Sequence, residues 1–340
     1  MSDCPARAPV VRPKLAESGI RMLRRAWQLT MIGLARQQRL KRAIQESRLG
    51  AALARRYTAG ETADEAFICV ESLIAKQSTR ASLYALGEYV TEPATVAETV
   101  VLQRAVATRL AASPHDVHVS VDPTQIGQVF DPALARRNAF AIAEAIATAA
   151  DAPSRVRAMM LDMEDRSFVD PTIALHDALA DAHLPVALTL QAYLRRTTAD
   201  LERQIERGSH VRLVKGAFLA DGAASFTGRA EIKANSRRLI DLMLSRRARD
   251  AGFYPSIATH DEALQRYAAA RAAENGWPDD AWEIEMLLGV RDSLAATLAA
   301  SGRRVRLYLP FGRDWWPYAI RRIGENPASA TLLARSLISR

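Results

Sequence analysis

Cysteine is almost missing from the 340 residues: Cys4 and Cys69 are the whole supply. That excludes a disulfide framework and a cysteine-based metal site, and makes a reducing, cytoplasmic setting the expectation. Long apolar runs are missing as well. None reaches the roughly 18–20 residues that cross a bilayer, and the opening MSDCPARAPVVRPK lacks the apolar core of a signal peptide. Neither G-x-G-x-x-G nor G-x-x-x-x-G-K-[ST] occurs, so the glycine-rich phosphate loops of ordinary nicotinamide dehydrogenases and ATPases are absent. The six histidines are scattered, with no H-E-x-x-H or H-x-x-E-H spacing, and no metal is expected. No serine or cysteine sits in a nucleophile elbow. Without an evident nucleophile or metal, difficult chemistry falls to an organic cofactor.

What is present is basic charge, unevenly spread. The net charge is +8, yet residues 1–56 hold 13 Lys/Arg against 3 Asp/Glu, while the other 284 residues hold 33 against 35. The body is therefore not basic, which argues against nucleic acid as a partner. Residues 21–36 mix arginines with large apolar residues at helical spacing. Such a segment predicts peripheral contact with an anionic membrane face or another polyanion; a packing helix with an arginine-rich outer face is the alternative.

Residues 14–76 read as helices, with a break near 57–62 and Thr62/Glu65 spaced as a capping box for the next helix. Short apolar β-rich runs then alternate with long Ala/Leu/Arg stretches. The runs are Val117–Val121, Met159–Met163, Val186–Gln191, Val211–Val214, Ser256–Thr259, Ile284–Leu287 and Val305–Leu309. Apolar strands separated by helices predict a parallel sheet buried on both faces. So many repeated units favour a (β/α)8 barrel over an open sheet, with one strand unlocated. The predicted division is a basic helical segment, 1–85, and a barrel, 86–340.

Barrel chemistry sits at the C-terminal strand ends. Read in order, these are Ser120–Gln125, Asp162–Asp165, Gln191–Tyr193, Arg212–Phe218, Thr259–Asp261, Glu285–Leu287 and Tyr308–Pro310. A buried strand ending Arg-x-x-Lys-Gly is costly unless its charges meet an anion or acids such as Asp162 or Glu164. Gly216 lets a ligand approach the backbone. After the last strand, Asp314 and Pro317 suit a helix start. In that helix Tyr318, Arg321, Arg322 and Glu325 share one face. Two adjacent guanidiniums form a clamp for a carboxylate or phosphate; a solvated stripe with an Arg321–Glu325 pair is the alternative.

The segments YTAGET (57–62), LGEYV (86–90), LDMED (161–165), LQAYLRR (190–196), VRLVKGAF (211–218), IATHD (257–261), EIEMLLG (283–289), VRLYLPFG (305–312) and YAIRRIGENPAS (318–329) resemble the proline dehydrogenase family, in order and over most of the chain. The length resembles the short monofunctional bacterial type. The resemblance implies a distorted TIM-like barrel with FAD at its mouth, beneath the last helix. The reaction would take L-proline to Δ1-pyrroline-5-carboxylate by hydride transfer to flavin N5, with electrons passed to a quinone-type acceptor. It implies that Arg321 and Arg322 hold the substrate carboxylate, that Tyr308 and Tyr318 wall the ring with Leu287, and that Asp162 orders the charges. Gln191, Arg212, Val214, Lys215, Gly216, Ala217, Thr259 and His260 would contact FAD, with Thr227, Glu325 and Ser329 nearby. Three positions depart from the family pattern. Asp122 stands where the first recognised strand usually ends in lysine, Phe218 where tyrosine is usual, and Glu285 where glutamine is common. An acid beside a bound carboxylate costs on the order of 1–4 kcal/mol unless paired. The alternatives are a same-fold flavoenzyme acting on another cyclic secondary amine or proline derivative, and a non-catalytic polyanion- or membrane-binding protein.

Overall fold

The computed structural model describes residue 44 and residues 47–325, apart from 88–89, 91, 112, 114, 149–156 and 217–221. Most of the basic segment 1–56 therefore lies outside the described residues, as do Ala217, Phe218 and Ser329. Among the described residues no helix is long and apolar enough to cross a membrane. The chain divides into two compact units, Arg55–Arg313 and Met1–Ala54 with Asp314–Arg340.

Helix α1 (Arg48–Tyr57) opens the described chain. Then come α2 (Ala63–Gln77), β1 (Arg80–Ala85), α3 (Pro93–Ala111), β2 (Val117–Val121), α4 (Pro132–Thr148), β3 (Met159–Leu161), α5 (Val169–Asp181), β4 (Val186–Gln191), α6 (Thr197–Glu206) and β5 (His210–Val214). Next are α7 (Arg229–Met243), α8 (Arg246–Asp250), β6 (Tyr254–Ala258), α9 (Glu262–Glu274), β7 (Glu283–Leu287), α10 (Asp292–Ala300) and β8 (Val305–Phe311). All neighbours are parallel, and β8 closes on β1 from Arg80↔Arg306 to Ala85↔Phe311. Seven strands are those expected, with ends moved by a residue or two. The unlocated strand is β1, which precedes residue 86 and so lies within the stretch expected to be a helical segment. The cap before α2 forms on Thr62, whose hydroxyl accepts from Glu65 N at 3.2 Å. Its reciprocal half shifts by one residue, because Glu65 accepts from Glu61 N at 2.6 Å.

Strand side chains alternate faces. Leu83, Val119, Leu188, Leu213, Ile257 and Leu307 join Ile142, Ile173, Leu201 and Leu239 of the helices in one large apolar cluster. The inward positions are polar: Ser82, Ser120, Thr189, Arg212, Ser256, Glu285 and Arg306 are all buried. Branched apolar residues ordinarily fill this space; here, among the described residues, a small patch of Ala158, Met160 and Ala187 stands beside the polar groups instead. An interior built from charges must be closed by pairing. At the level of Glu283, Arg306 donates to Glu283 Oε1 at 2.8 Å, to Asp116 Oδ1 at 2.8 Å and to Ala81 O at 2.7 Å. Burial pushes the Glu283 carboxyl up, but the Arg306 guanidinium prevails and holds it at about 2.

The other unit contributes α11 (Trp315–Glu325), which buries Trp315, Trp316, Ala319, Ile320 and Ile323. Pro317 falls in its first turn, where no helical hydrogen bond is lost. Tyr318, Arg321 and Arg322 share a face, and the Arg322 guanidinium lies 5.1 Å from the Tyr318 ring centre. Both arginines are half-buried.

Candidate active site at the barrel mouth

Arg212, on β5, organises the charged centre. Its Nη1 donates to Asp162 Oδ1 and its Nε to Glu285 Oε2, each at 2.5 Å. Its Nη2 reaches the hydroxyls of Ser82 at 3.1 Å and Ser120 at 3.3 Å. One guanidinium thus ties together β1, β2, β5, β7 and the residue after β3. Burial opposes its charge, but Glu285 and Asp162 raise its pKa above the ordinary value. The Asp162 carboxylate also accepts from Tyr308 Oη at 2.9 Å and Thr189 Oγ1 at 3.1 Å. Asp162 and Tyr308, expected at the substrate, and Arg212, expected at FAD, are therefore joined in one hydrogen-bonded group.

Tyr308 stacks on Tyr84 with ring centres 5.4 Å apart. Tyr84 Oη donates to Asp122 Oδ2 at 2.7 Å and accepts from Gln125 Nε2 at 3.3 Å. Gln125 also donates to Ala85 O at 2.7 Å, locking the turn after β2 onto the end of β1. Asp122 is buried at 7 % exposure, so the residue in place of the family's lysine faces an aromatic wall rather than bulk water. Tyr84 escaped sequence reading because β1 did. Its only signal is the alternation in RASLYA, which puts Ser82 and Tyr84 on one face.

A second group forms where β4 and β5 end. Ala192 N and Tyr193 N donate to Val214 O at 2.8 Å and Lys215 O at 3.0 Å, carrying the ladder past the strands. Gln191 Nε2 donates to Glu164 O at 2.8 Å, and Glu164 accepts from both Thr124 N and Thr124 Oγ1, at 2.9 and 2.6 Å. Gly216 has φ +93°, and a Cβ there would stand 2.1 Å from Tyr193 Cδ1 and 3.0 Å from Gln191 Oε1. Beside this turn a cavity of about 300 Å³ is lined by Val214, Lys215, Arg229, Ile232, Lys233 and Thr259, among others. Arg229 is the first residue of α7, where the helix end favours negative charge. A lining that combines cations with Ile232, Ile240 and Leu264, and also includes Asp261, suits a ligand with a phosphate and a flat apolar part. These residues therefore fit part of FAD. Sequence reading missed Arg229 and Lys233, since only the α7 register turns both toward the Lys215 end of β5.

A third group lies past β6 and β7. His260 Nε2 accepts from Leu287 N at 3.2 Å. Thr259 Oγ1 accepts from Asp261 N at 3.1 Å, and Asp261 pairs with Lys233 at 2.5 Å. Thr227 is exposed just before α7. Tyr318, Arg321 and Arg322 belong to α11. The Glu325 side chain lies outside the described residues. One further group was not legible from spacing: His118, His210 and Glu283 bring ligand-type atoms within 4.8 Å of one another. Glu283 is already engaged by Arg306 and Ser256, and burial holds His210 down at about 3. The group is thus an ion-paired, neutral-imidazole layer of the barrel interior.

A family model described as proline dehydrogenase matches residues 69–335. Proline dehydrogenase of Deinococcus radiodurans is 32% identical over 291 residues, covering 84% of this chain and 90% of that protein. Proline dehydrogenase 1 of Bacillus subtilis (strain 168) is 29% identical over 294 residues, covering 86% and 92%. Among solved structures, proline utilization A of Bdellovibrio bacteriovorus, inactivated by N-propargylglycine, superposes with a TM-score of 0.74 at 20% identity, covering 92% of this chain and 37% of that one. The chain thus spans little more than a third of that larger protein, and the likeness supports the barrel fold. With the barrel and the 69–335 match together, the chain belongs to the proline dehydrogenase family of oxidoreductases.

Proposed function

We propose that this chain oxidises L-proline to Δ1-pyrroline-5-carboxylate, with FAD as cofactor and a quinone-type compound as electron acceptor. The observation that carries this is the family match, which takes in all eight strands and α11. When bound, FAD would supply the hydride acceptor at its N5. Lys215, Arg229 and the start of α7 would hold its phosphates, with Gln191, Val214, Gly216, Thr259 and His260 along its length. The substrate carboxylate would lie on Arg321 and Arg322. The Tyr308 ring, fixed by Asp162 and by stacking on Tyr84, gives a stiff apolar wall that keeps water from the reacting carbon. Proline oxidation asks little of protein acids, since the amine must be neutral and the C–H correctly aimed, so positioning carries most of the rate.

Purified protein assayed with a dye acceptor and a panel of cyclic secondary amines tests this reading, with L-proline expected to give the highest kcat/KM. Arg321→Ala and Arg322→Ala should each raise KM for proline roughly 10–100-fold with a smaller effect on kcat, as expected for losing one charge-assisted hydrogen bond to a carboxylate. An unchanged KM would remove the clamp from the account.

One observation favours a second reading, a proline derivative as substrate. Asp122 accepts from Tyr84, whose ring stacks on Tyr308, and an acid at this place suits an added hydroxyl or cationic substituent better than lysine would. Steady-state kinetics of Asp122→Lys separate the two. If a derivative is the substrate, the change should raise kcat/KM for proline and lower it for the derivative. Equal loss on both would reject the second reading.

A further inference from the structure

Glu285 is a buried carboxylate of the barrel interior with one oxygen that accepts no hydrogen bond among the described residues. It is 2 % exposed. Its Oε2 accepts from Arg212 Nε at 2.5 Å, so the oxygen without a donor is Oε1. The nearest second cation, Arg306, keeps its Nε 3.9 Å from that oxygen and spends its close contacts on Glu283 and Asp116. Arg212 is itself shared, since Asp162 holds its Nη1. Two carboxylates thus lean on one guanidinium, with Glu283 two residues away on the same strand adding a like charge.

We propose that Glu285 is a positioning residue that binds a proton when a carboxylate ligand enters the mouth, keeping Arg212 in place while the charge around it changes. With Glu285 and Asp162 both ionised, the Arg212 group carries one net negative charge. A further anion nearby worsens that balance. Protonating Glu285 at Oε1, the oxygen without a donor, restores it without moving the guanidinium, because Oε2 still accepts from Nε.

Arg212 from β5, Glu283 from its own strand and Arg306 from β8 act on Glu285 directly; Asp162 shares Arg212 with it, and His118 and His210 stand beside Glu283. Burial lowers both histidines, so they stay neutral across the working range, and the arginines stay charged. Burial pushes the Glu285 carboxyl up to about 7, against the pull of Arg212 and with help from Glu283. The sign follows directly. An anion that raises this pKa further binds more tightly at low pH, and its affinity falls as pH rises through about 7. A glutamine here would accept from Arg212 but titrate nothing.

This inference rests on the proposed proline site. The test uses tetrahydrofuran-2-carboxylate, a ring carboxylate like proline but without an amine to titrate. Calorimetry of the purified flavin-reconstituted protein near pH 7, in buffers of different ionisation enthalpy, reads protons taken up on binding. The expected result is a sizeable fraction of one proton for wild type and none for Glu285→Gln, with Kd rising several-fold from pH 6 to 8 only in wild type. Should Glu285→Gln fail to fold, infrared difference spectra of wild type replace it. A protonated-carboxyl band should then disappear between pH 6 and 8 and return on adding ligand at pH 8. Tight binding without proton uptake, the same uptake in Glu285→Gln, or no such band overturns the proposal. No binding at all would instead count against the proline site.

Discussion

Arg212→Met should lower stability by about 3–5 kcal/mol, the usual result of stranding buried charges. For a barrel of this size that is a fall in melting temperature of roughly 5–10 °C. The substitution keeps much of the side-chain volume, so the loss isolates the charge. It leaves Asp162 and Glu285 with no guanidinium between them, and frees Ser82 and Ser120 from the Nη2 contact. The deficit should grow between pH 6 and 8, because an ionised Glu285 needs Arg212 and a protonated one does not. Adding Glu285→Gln to Arg212→Met should recover part of it. Turnover with proline should be lost, since the Tyr308 wall is held through Asp162. Differential scanning fluorimetry across pH, with the double variant alongside, reads the stability arm. A shift under 2 °C, at the scale of about 1 kcal/mol or less, would show that the network relaxes without Arg212.

Gly216→Ala should spare most of the fold and remove cofactor retention. At φ +93° a side chain is strained, at about 1–3 kcal/mol. The added methyl would also stand 2.1 Å from Tyr193 Cδ1, so the ring must move. Tyr193 is buried at 5 % exposure, and its backbone is tied to Lys215 O at 3.0 Å. Yielding therefore disturbs the turn that carries Lys215 and Gln191. The purified variant should contain much less flavin per protein than wild type by absorbance, and added FAD should bind at least tenfold more weakly. Full flavin content would mean that this glycine serves the turn alone.

Much of the architecture was legible because outward strand faces are continuous apolar stripes, and short apolar runs between helices have few other readings. β1 was not, for a physical reason. Its inward face carries Arg80, Ser82 and Tyr84, and it follows a long helix whose Ala/Leu texture it shares. Strand ends exposed the candidate residues individually, including Asp162, Arg212 and Tyr308. Their pairing was hidden, because Arg212 reaches Glu285 across 73 positions and Ser82 across 130, and only barrel closure sets such contacts. Asp122 was conspicuous in the sequence as an acid in a basic position. Its partner Tyr84 was invisible until β1 was placed.

On the proposed function, the barrel binds FAD and proline reduces it. Mixing the purified, flavin-loaded protein with L-proline without oxygen and following the visible spectrum tests it most directly. The protein should be yellow, with flavin absorbance that bleaches on adding L-proline and returns with a quinone. A colourless protein that cannot be reconstituted with FAD, or a flavin that proline leaves oxidised, would contradict it.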